Sequence, residues 1–205
     1  MPRNGSNKDI KWIDINPCFV FHPMNAYEEE NKIILHVCRQ DKAMVGGMDQ
    51  IYGGDETTGK LWKWTIDLDT LSCKEEQVDD KPCDFARVDD RRTGLKANIG
   101  YAMELNNKAE TLTFGNNLFK YNLDKGTRED HFLGDYTVGG EPLFAPNPNT
   151  NDEKDGYVMS IVHDNENSQS KLLIIDSDNF SDKAVAEILL PQRVPFGAHG
   201  SWLEN

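Results

Sequence analysis

Long hydrophobic runs are absent from the sequence, and none of its apolar stretches approaches the ~18 residues that a transmembrane helix requires. The first residues also lack the apolar core that marks a secretory signal peptide. What remains is a chain of 205 residues, 38% apolar and 9% aromatic, which is enough for one globular domain with a sizeable core. These absences predict a cytoplasmic protein.

Closely spaced cysteines are also lacking. The four cysteines, Cys18, Cys38, Cys73 and Cys83, form no Cys-x-x-Cys pair, although their number would allow two disulfides. Zinc sites commonly draw their ligands from such short-spaced pairs, so a zinc site is only the less favoured alternative. Isolated cysteines in a chain without a signal peptide are typical of reduced thiols in a core, which agrees with a cytoplasmic location.

Positive charge is scarce, because 22 basic against 35 acidic side chains give a net charge of −13. Such a charge repels nucleic acid and anionic lipid at long range, so we predict no nucleic-acid partner. The sequence also contains no Gly-rich phosphate loop, no Ser nucleophile motif and no His-Glu-x-x-His helix. These absences argue against the common phosphate-binding, serine-hydrolase and zinc-protease classes.

No segment has the periodicity of a convincing amphipathic helix, and strands and polar turns follow one another instead. One unit, Leu61–Asp69, recurs as Leu118–Gly126 and more loosely as Leu172–Asp178, at spacings of 57 and 54 residues. Antiparallel strands that repeat about every 40 to 50 residues are typical of propeller blades, whereas a plain β-sandwich lacks this longer repeat. We therefore predict an all-β fold, a β-propeller, with chain for about four blades of roughly 50 residues.

Shorter patterns predict local structure. Alternating apolar residues predict a strand over Lys8–Asp14. Two further strands, Phe19–His22 and Ile33–Cys38, are expected on either side of a charged turn at Tyr27–Lys32. The glycine-rich segment Asp41–Gly59 is expected to be a long loop, because its glycines make a regular helix improbable.

Two histidines lie at the ends of extended segments. His22 ends the apolar run Phe19–Phe21 and precedes Pro23, which has no amide to donate and favours an extended conformation for the residue before it. His199 follows a proline-punctuated segment and is flanked by glycines, which let other backbone or a ligand come close. For His22, on its own residues alone, a half-buried strand histidine bonded to a backbone carbonyl is the more common arrangement.

The other three histidines are expected to be structural. His36 lies inside an apolar run and is predicted to be a core or sheet-face imidazole rather than a metal ligand. His131 and His163 each lie beside an aspartate, so we expect both in solvated turns. The charged run Asp89–Arg92 is expected to form another such turn.

Four separated segments resemble motifs of one protein family. They are His22–Glu28 (HPMNAYE), Asp84–Gly94 (DFARVDDRRTG), Gly140–Pro146 (GEPLFAP) and Arg193–Trp202 (RVPFGAHGSW). In order and spacing they resemble the carotenoid cleavage oxygenases, the family of the lignostilbene dioxygenases and the retinal pigment epithelium isomerase. The resemblance extends from about Trp12 to the C-terminus.

The resemblance implies a seven-bladed propeller in which four histidines hold one Fe(II) ion, a metal that imidazole ligands suit. By motif, His22 and His199 would be two of these ligands. Glu141 matches a glutamate that hydrogen-bonds a ligating histidine and fixes its tautomer. Asp84 matches another such glutamate, with a shorter side chain and without the proline of the family's Glu-Phe-Pro-Arg pattern. Whether Asp84 reaches a histidine directly, through a water, or not at all stays open.

Family members are about twice as long, and their first two histidine ligands precede the motifs found here. The resemblance therefore implies that residues 1–205 are the C-terminal part of a single β-propeller domain whose N-terminal part is missing, and that this part alone is inactive. The long loop Asp41–Gly59 could border a substrate tunnel, with Met44 and Met48 as an adaptable apolar wall, or it could be a surface excursion.

The function implied for the intact protein is that of a non-haem Fe(II) dioxygenase. It would cleave a conjugated C=C bond of a carotenoid, apocarotenoid or stilbene with O2 and give carbonyl products. Its partners would be an apolar conjugated substrate and O2. The missing part could make peripheral membrane contact, and no specific protein partner is evident. The alternative is a non-catalytic propeller that serves as a binding or interaction module.

Overall fold

The computed structural model describes residues 1–43, 55–106, 113–197 and 199–203. Within these ranges the regular elements are strands and three 3-10 turns, and no helix there is long and apolar enough to cross a membrane. The strands are β1 (Phe19–Glu29), β2 (Lys32–Gln40), β3 (Lys60–Asp67), β4 (Ser72–Arg87), β5 (Ile99–Asn106), β6 (Thr113–Asn122), β7 (Thr127–Phe132), β8 (Thr137–Val138), β9 (Leu143–Pro146), β10 (Gly156–Asp164), β11 (Gln169–Asp176) and β12 (Ala186–Leu189). The prediction of an all-β chain is confirmed.

The described strands form three antiparallel sheets. β4 is shared between two of them: its first part pairs with β3 in the first sheet, β1-β2-β3-β4, and its end pairs with β5 in the second, β4-β5-β6-β7. The third sheet has the order β12-β11-β10-β8, and the short β9 also pairs with β10. The structure has three sheets, whereas the chain length predicted about four blades. The difference arises because the described segments before β1 and after β12 add residues without adding paired strands.

The three copies of the repeated sequence unit begin in β3, β6 and β11. Each is the third strand along its sheet, when the third sheet is counted from β8. Each of these strands ends in an Asp or Asn whose side-chain oxygen accepts a hydrogen bond from a backbone N–H of the following turn. These residues are Asp67, Asn122 and Asp176. The spacing of the repeat is therefore the number of residues from one sheet to the next. The Asp and Asn residues that mark it occur there because their side chains hydrogen-bond the backbone of the turn.

Apolar layers fill the spaces between neighbouring sheets. The first and second sheets bury a layer that includes Met24, Cys38, Leu61, Ala102, Phe119 and Tyr121. The second and third sheets bury another that includes Tyr101, Met103, Leu118, Phe144, Val158 and Ile175. Strand β5 contributes to both layers, since successive side chains of a strand point to opposite faces. At Gly100 the first two sheets come so close that a Cβ would lie 2.3 Å from the Met24 sulfur.

Two local predictions need correction. The predicted strand Lys8–Asp14 is instead a 3-10 turn followed by irregular chain, and Trp12 there is 87% exposed. Alternation alone does not make a strand, and no described strand pairs with this segment. The turn predicted over Tyr27–Lys32 is tighter, because β1 and β2 extend to within two residues of each other. Strand β1 continues past Pro23 through register shifts on both sides of it, so the missing proline amide does not end the strand.

The prediction of solvated turns at His131 and His163 is wrong. His131 lies in β7 and His163 in β10, and they are 5% and 8% exposed. His131 Nδ1 lies 2.8 Å from the carbonyl oxygen of Phe180. The adjacent aspartate misled the prediction, because neighbouring residues of a strand face opposite sides and a solvated Asp130 is compatible with a buried His131.

His36 lies in the core, as predicted. It is 2% exposed in β2, and neither ring nitrogen has a hydrogen-bond partner among the described residues. Burial disfavours the charged imidazolium and lowers the pKa of His36 from 6.5 to about 4, with the nearby Lys63 acting in the same direction. His36 is therefore neutral in the folded protein at neutral pH.

We expect His36 to make the protein sensitive to mild acid. In the unfolded state the His36 imidazole takes up a proton near pH 6.5, and in the folded state only near pH 4. The free energy of unfolding therefore decreases as the pH falls from 6.5 towards 4. The shift corresponds to about 2 kcal/mol between pH 7 and pH 5. The test is urea unfolding, at pH 7 and at pH 5, of the protein that contains this chain. Between these two pH values, the free energy of unfolding should fall by about 2 kcal/mol less in His36→Phe than in wild type. Equal losses in the two proteins would contradict the assignment.

Candidate metal centre

His22 is paired directly with Asp84. Its Nδ1 lies 2.9 Å from Asp84 Oδ1, and the carboxylate, whose side chain is 7% exposed, also accepts a hydrogen bond from the Phe85 N–H at 2.9 Å. The hydrogen bond to Asp84 raises the pKa of His22, against the opposing effect of burial. The shorter side chain of Asp84 is therefore long enough to reach His22 directly. It can do so because Asp84 lies in the part of β4 that pairs in the second sheet, close to β1 of the first sheet.

The backbone after Asp84 is distorted. The β4–β5 register shifts between Asp84 and Arg87, and Phe85 adopts a φ of 54° in the left-handed region that non-glycine residues rarely occupy. The Phe85 ring lies 4.7 Å from the His22 ring and 6.0 Å from the His199 ring, measured between centroids. Strained backbone of this kind clusters at functional sites. The position of Phe85 was not predicted, since nothing in its residue type signals a positive φ.

His199 is paired with Glu141 in the same way. Its Nδ1 lies 3.0 Å from Glu141 Oε1, while Glu141 Oε2 accepts a hydrogen bond from the Gly200 N–H at 2.8 Å. The Glu141 side chain is 7% exposed and follows Gly140, where a Cβ would lie 2.4 Å from the carbonyl oxygen of Ile161 in β10. A glycine at 140 therefore lets the segment before β9 lie close to β10 and places Glu141 at the edge of the third sheet.

Arg87, three residues after Asp84 on β4, contacts the pair formed by His199 and Glu141. Its Nη1 donates to Glu141 Oε1 at 3.2 Å and to the carbonyl oxygen of Gly200 at 3.1 Å, and its Nη2 donates to Asp90. Burial on its own would lower the pKa of Arg87, but the hydrogen bonds to Asp90 and Glu141 outweigh it and raise the pKa. Sequence reasoning did not single out Arg87, although it stands in the Asp84–Gly94 motif.

The two histidine–carboxylate pairs meet. The imidazole rings of His22 and His199 lie 5.0 Å apart between centroids at 81°, although the residues are 177 positions apart in sequence. Each Nδ1 is engaged by a carboxylate, so Nε2 is the nitrogen that remains for a metal ion. The structure thus brings all four predicted site residues together, while their role as metal site stays a prediction. Within the described ranges, no three or more His, Cys, Asp or Glu side chains are grouped to hold a metal.

A cavity of about 390 Å³ adjoins this cluster. It lies between the third sheet and the C-terminal segment, and its lining includes Glu141, His199, Phe114 and Phe196 among mainly apolar side chains. A larger cavity of about 590 Å³ is lined by polar loop residues such as Asp152 and includes none of the four site residues. We assign the smaller cavity to the site, because it alone of these two contains a histidine–carboxylate pair.

Two other predictions concern features near the site. The loop Asp41–Gly59 is described only at its ends, and Met44 and Met48 lie outside the described residues. The tunnel wall predicted there stays a prediction. All four cysteines are free thiols, with Cys38 and Cys83 buried and the other two partly buried.

Comparisons with known proteins agree along the whole chain. The family model described as retinal pigment epithelial membrane protein matches residues 1–204. A carotenoid cleavage oxygenase of Mycobacterium tuberculosis is 31% identical over 98% of this chain and 41% of its own length. The apocarotenoid-15,15'-oxygenase of Synechocystis is 27% identical, over 100% of this chain and 42% of its own length. The isoeugenol monooxygenase of Pseudomonas nitroreducens is 26% identical, over 99% of this chain and 45% of its own length. The chain thus spans less than half the length of these relatives.

The fold comparison gives the same result. The crystal structure of cobalt-substituted Synechocystis apocarotenoid oxygenase matches with a TM-score of 0.88 and 26% identity, covering 100% of this chain and 43% of that one. That structure is a seven-bladed propeller, which confirms the predicted fold. On the family match, the motifs and the fold together, the chain belongs to the family of the retinal pigment epithelial membrane protein and the carotenoid cleavage oxygenases.

Proposed function

We propose that the protein containing this chain is a non-haem Fe(II) dioxygenase. It would cleave a conjugated C=C bond of a carotenoid, apocarotenoid or stilbene with O2 and release carbonyl products. The observation that carries the proposal is the meeting of two imidazoles, 5.0 Å apart, that are each hydrogen-bonded to a nearly buried carboxylate. The names of relatives that act on carotenoids and apocarotenoids support the substrate class.

The residues present fit a ferrous ion. Neutral imidazole is a ligand that suits Fe(II), and a metal-bound histidine normally donates its other N–H to a carboxylate or carbonyl. His22 and His199 both have that arrangement and would hold the ion through Nε2. Bound iron would supply the one-electron chemistry that O2 activation requires. Residues 1–205 provide two of the four imidazoles that the resemblance implies, so we propose that they are inactive alone.

The other residues of the cluster position and shield the site. Asp84 and Glu141 fix the tautomer and direction of the two imidazoles. Arg87 places a positive charge against Glu141 and ties the chain after His199 to the second sheet. Aromatic rings, with Phe85 against both histidines, form an apolar wall that would exclude water and pack against a conjugated substrate.

The alternative, a non-catalytic propeller that binds a ligand or partner, is favoured by one observation. The described residues group only two imidazoles and no third His, Cys, Asp or Glu as a metal ligand. Iron content of the whole protein separates the two functions, since about one Fe(II) per chain favours the oxygenase and none favours the binding module.

We expect His199→Ala to remove iron and cleavage activity from the protein that contains this chain. The variant loses one imidazole and leaves the Glu141 carboxylate without its partner. His163→Phe is the control, because it removes another histidine of the same cavity that has no carboxylate partner in the described part of the chain, and it should keep its iron. Metal analysis of the purified proteins gives the readout, and equal iron loss in both variants would refute the assignment.

Glu141→Gln and Asp84→Asn should have graded effects, because these residues orient ligands and do not bind the metal. Each should lower iron affinity or turnover by roughly 10 to 100-fold, the range seen for hydrogen-bond partners of metal ligands. Asp84 contacts His22 directly, so we expect its loss to be comparable with that of Glu141. Competitive chelator titration measures the affinity, and wild-type affinity and rate in either variant would show that its carboxylate does not serve the metal.

A further inference from the structure

Strand β1 is irregular where it carries His22. The strand advances five residues from Val20 to Asn25. The stretch of β2 that pairs with it, from Arg39 to His36, advances only three. The two extra residues bulge out of the ladder, and bulges of this kind redirect side chains and leave residues unpaired. The pairing of β1 with β2 therefore does not by itself fix the position of His22.

The strand that supplies Asp84 is irregular at the same place. The β4–β5 register shifts directly after Asp84, and Phe85 has its positive φ there. Each member of the His22–Asp84 pair therefore lies at a break in its own ladder. Contacts outside the ladders are needed to hold the imidazole nitrogen and the carboxylate oxygen 2.9 Å apart.

Asn25 makes such contacts at the end of the bulge. It is only 7% exposed, and its side chain reaches the turn that follows β4. Its Nδ2 donates to the carbonyl oxygens of Leu95 at 2.8 Å and Arg92 at 3.3 Å. Its Oδ1 accepts a hydrogen bond from the Gly94 N–H at 3.1 Å. Both N–H groups of the amide and one lone pair of its oxygen are thus used, which fixes the direction of the side chain.

The turn that Asn25 contacts is itself held by hydrogen bonds. The nearly buried Asp89 carboxylate accepts from the N–H of Arg91 at 3.0 Å. Asp90 accepts from the Arg87 guanidinium through both carboxylate oxygens. Through that guanidinium the turn is also connected to the second histidine–carboxylate pair. The turn is therefore a fixed point for β1 on the part of the second sheet that belongs to the site.

We propose that Asn25 is a positioning residue of the metal centre. It acts through His22, because it holds the end of the bulge against the turn after β4 and so sets the imidazole relative to Asp84. Loss of the amide frees the end of the bulge, and the hydrogen bond between Nδ1 and the carboxylate lengthens. That the oriented Nε2 receives a metal rests on the proposed function, whereas the effect on the His22–Asp84 pair does not.

The first test follows the His22–Asp84 hydrogen bond by NMR in the metal-free full-length protein, labelled isotopically at histidine. The proton on His22 Nδ1 gives a signal that is assigned by its absence from His22→Gln. In Asn25→Ala this signal should be lost through exchange with water. The matched control Ser177→Ala should keep the signal, because it removes another buried hydrogen bond, to Tyr101 at 2.6 Å, away from the site.

The second test measures metal binding by the same proteins. Competitive chelator titration should give an iron affinity about tenfold lower for Asn25→Ala than for wild type, at the lower end of the range for partners of metal ligands. The absorption spectrum of the Co(II)-loaded variant should also shift, because the d–d bands report the geometry of the ligands. Ser177→Ala should keep the wild-type affinity and spectrum, whatever stability it loses in urea unfolding.

A purely structural role for Asn25 predicts reduced stability with an unchanged Nδ1 signal, affinity and spectrum, and that result would overturn the proposal. Equal losses of affinity in Asn25→Ala and Ser177→Ala would overturn it as well. If Asn25→Ala does not fold, Asn25→Asp replaces it, since this variant keeps the acceptor for the Gly94 N–H and loses both donors. Wild-type values in Asn25→Asp would then overturn the proposal.

The two tests also separate this proposal from the proposed function. If wild type binds no iron but its Nδ1 signal depends on Asn25, the positioning role stands and the proposed function fails. If wild type binds iron and cleaves its substrate while neither the signal nor the affinity depends on Asn25, the proposed function stands and the positioning role fails.

Discussion

Two nearly buried carboxylates, Asp84 and Glu141, connect neighbouring parts of the fold, and the position of both imidazoles depends on them. Asp84 belongs to the second sheet and meets a histidine of the first, while Glu141 lies just before β9 of the third and meets a histidine of the C-terminal segment. Moving a carboxylate from water into the protein interior costs free energy unless hydrogen bonds from the protein replace its hydration. Each therefore favours the one arrangement of the sheets that supplies its donors, and the site forms only when these sheets are packed.

The four residues from Asp84 to Arg87 combine three contributions. They supply a carboxylate to His22, an aromatic ring to both histidines and a guanidinium to Glu141. A regular strand would alternate these side chains between its faces. The register shift and the positive φ of Phe85 break that alternation, at a cost of about 1–3 kcal/mol for such strain. The strain persists because Asp84 and Arg87 are both fixed by hydrogen bonds on either side of it.

The histidines show how far residue patterns alone reach. His36 is predicted correctly as a core residue, since an apolar run predicts burial whatever the neighbouring strands are. His131 and His163 are not, because an adjacent aspartate does not establish that a strand histidine is solvated: Asp130 is exposed beside a buried His131, whereas Asp164 is itself buried. Whether a strand face meets solvent or another sheet depends on the neighbouring elements. For the same reason, the cavity next to His163 has no signature in the sequence around it.

The sequence by itself determined the strand content, the repeat of one sheet to the next and the Asp or Asn that ends each third strand, because all of these depend on nearby residues. The four motifs also identified His22, Asp84, Glu141 and His199 as candidates. Only the tertiary structure decided that Asp84 reaches His22 directly, that Phe85 turns against both rings and that imidazoles 177 residues apart come within 5.0 Å. Those distances follow from the packing of three sheets, to which residues throughout the chain contribute, so no local pattern contains them.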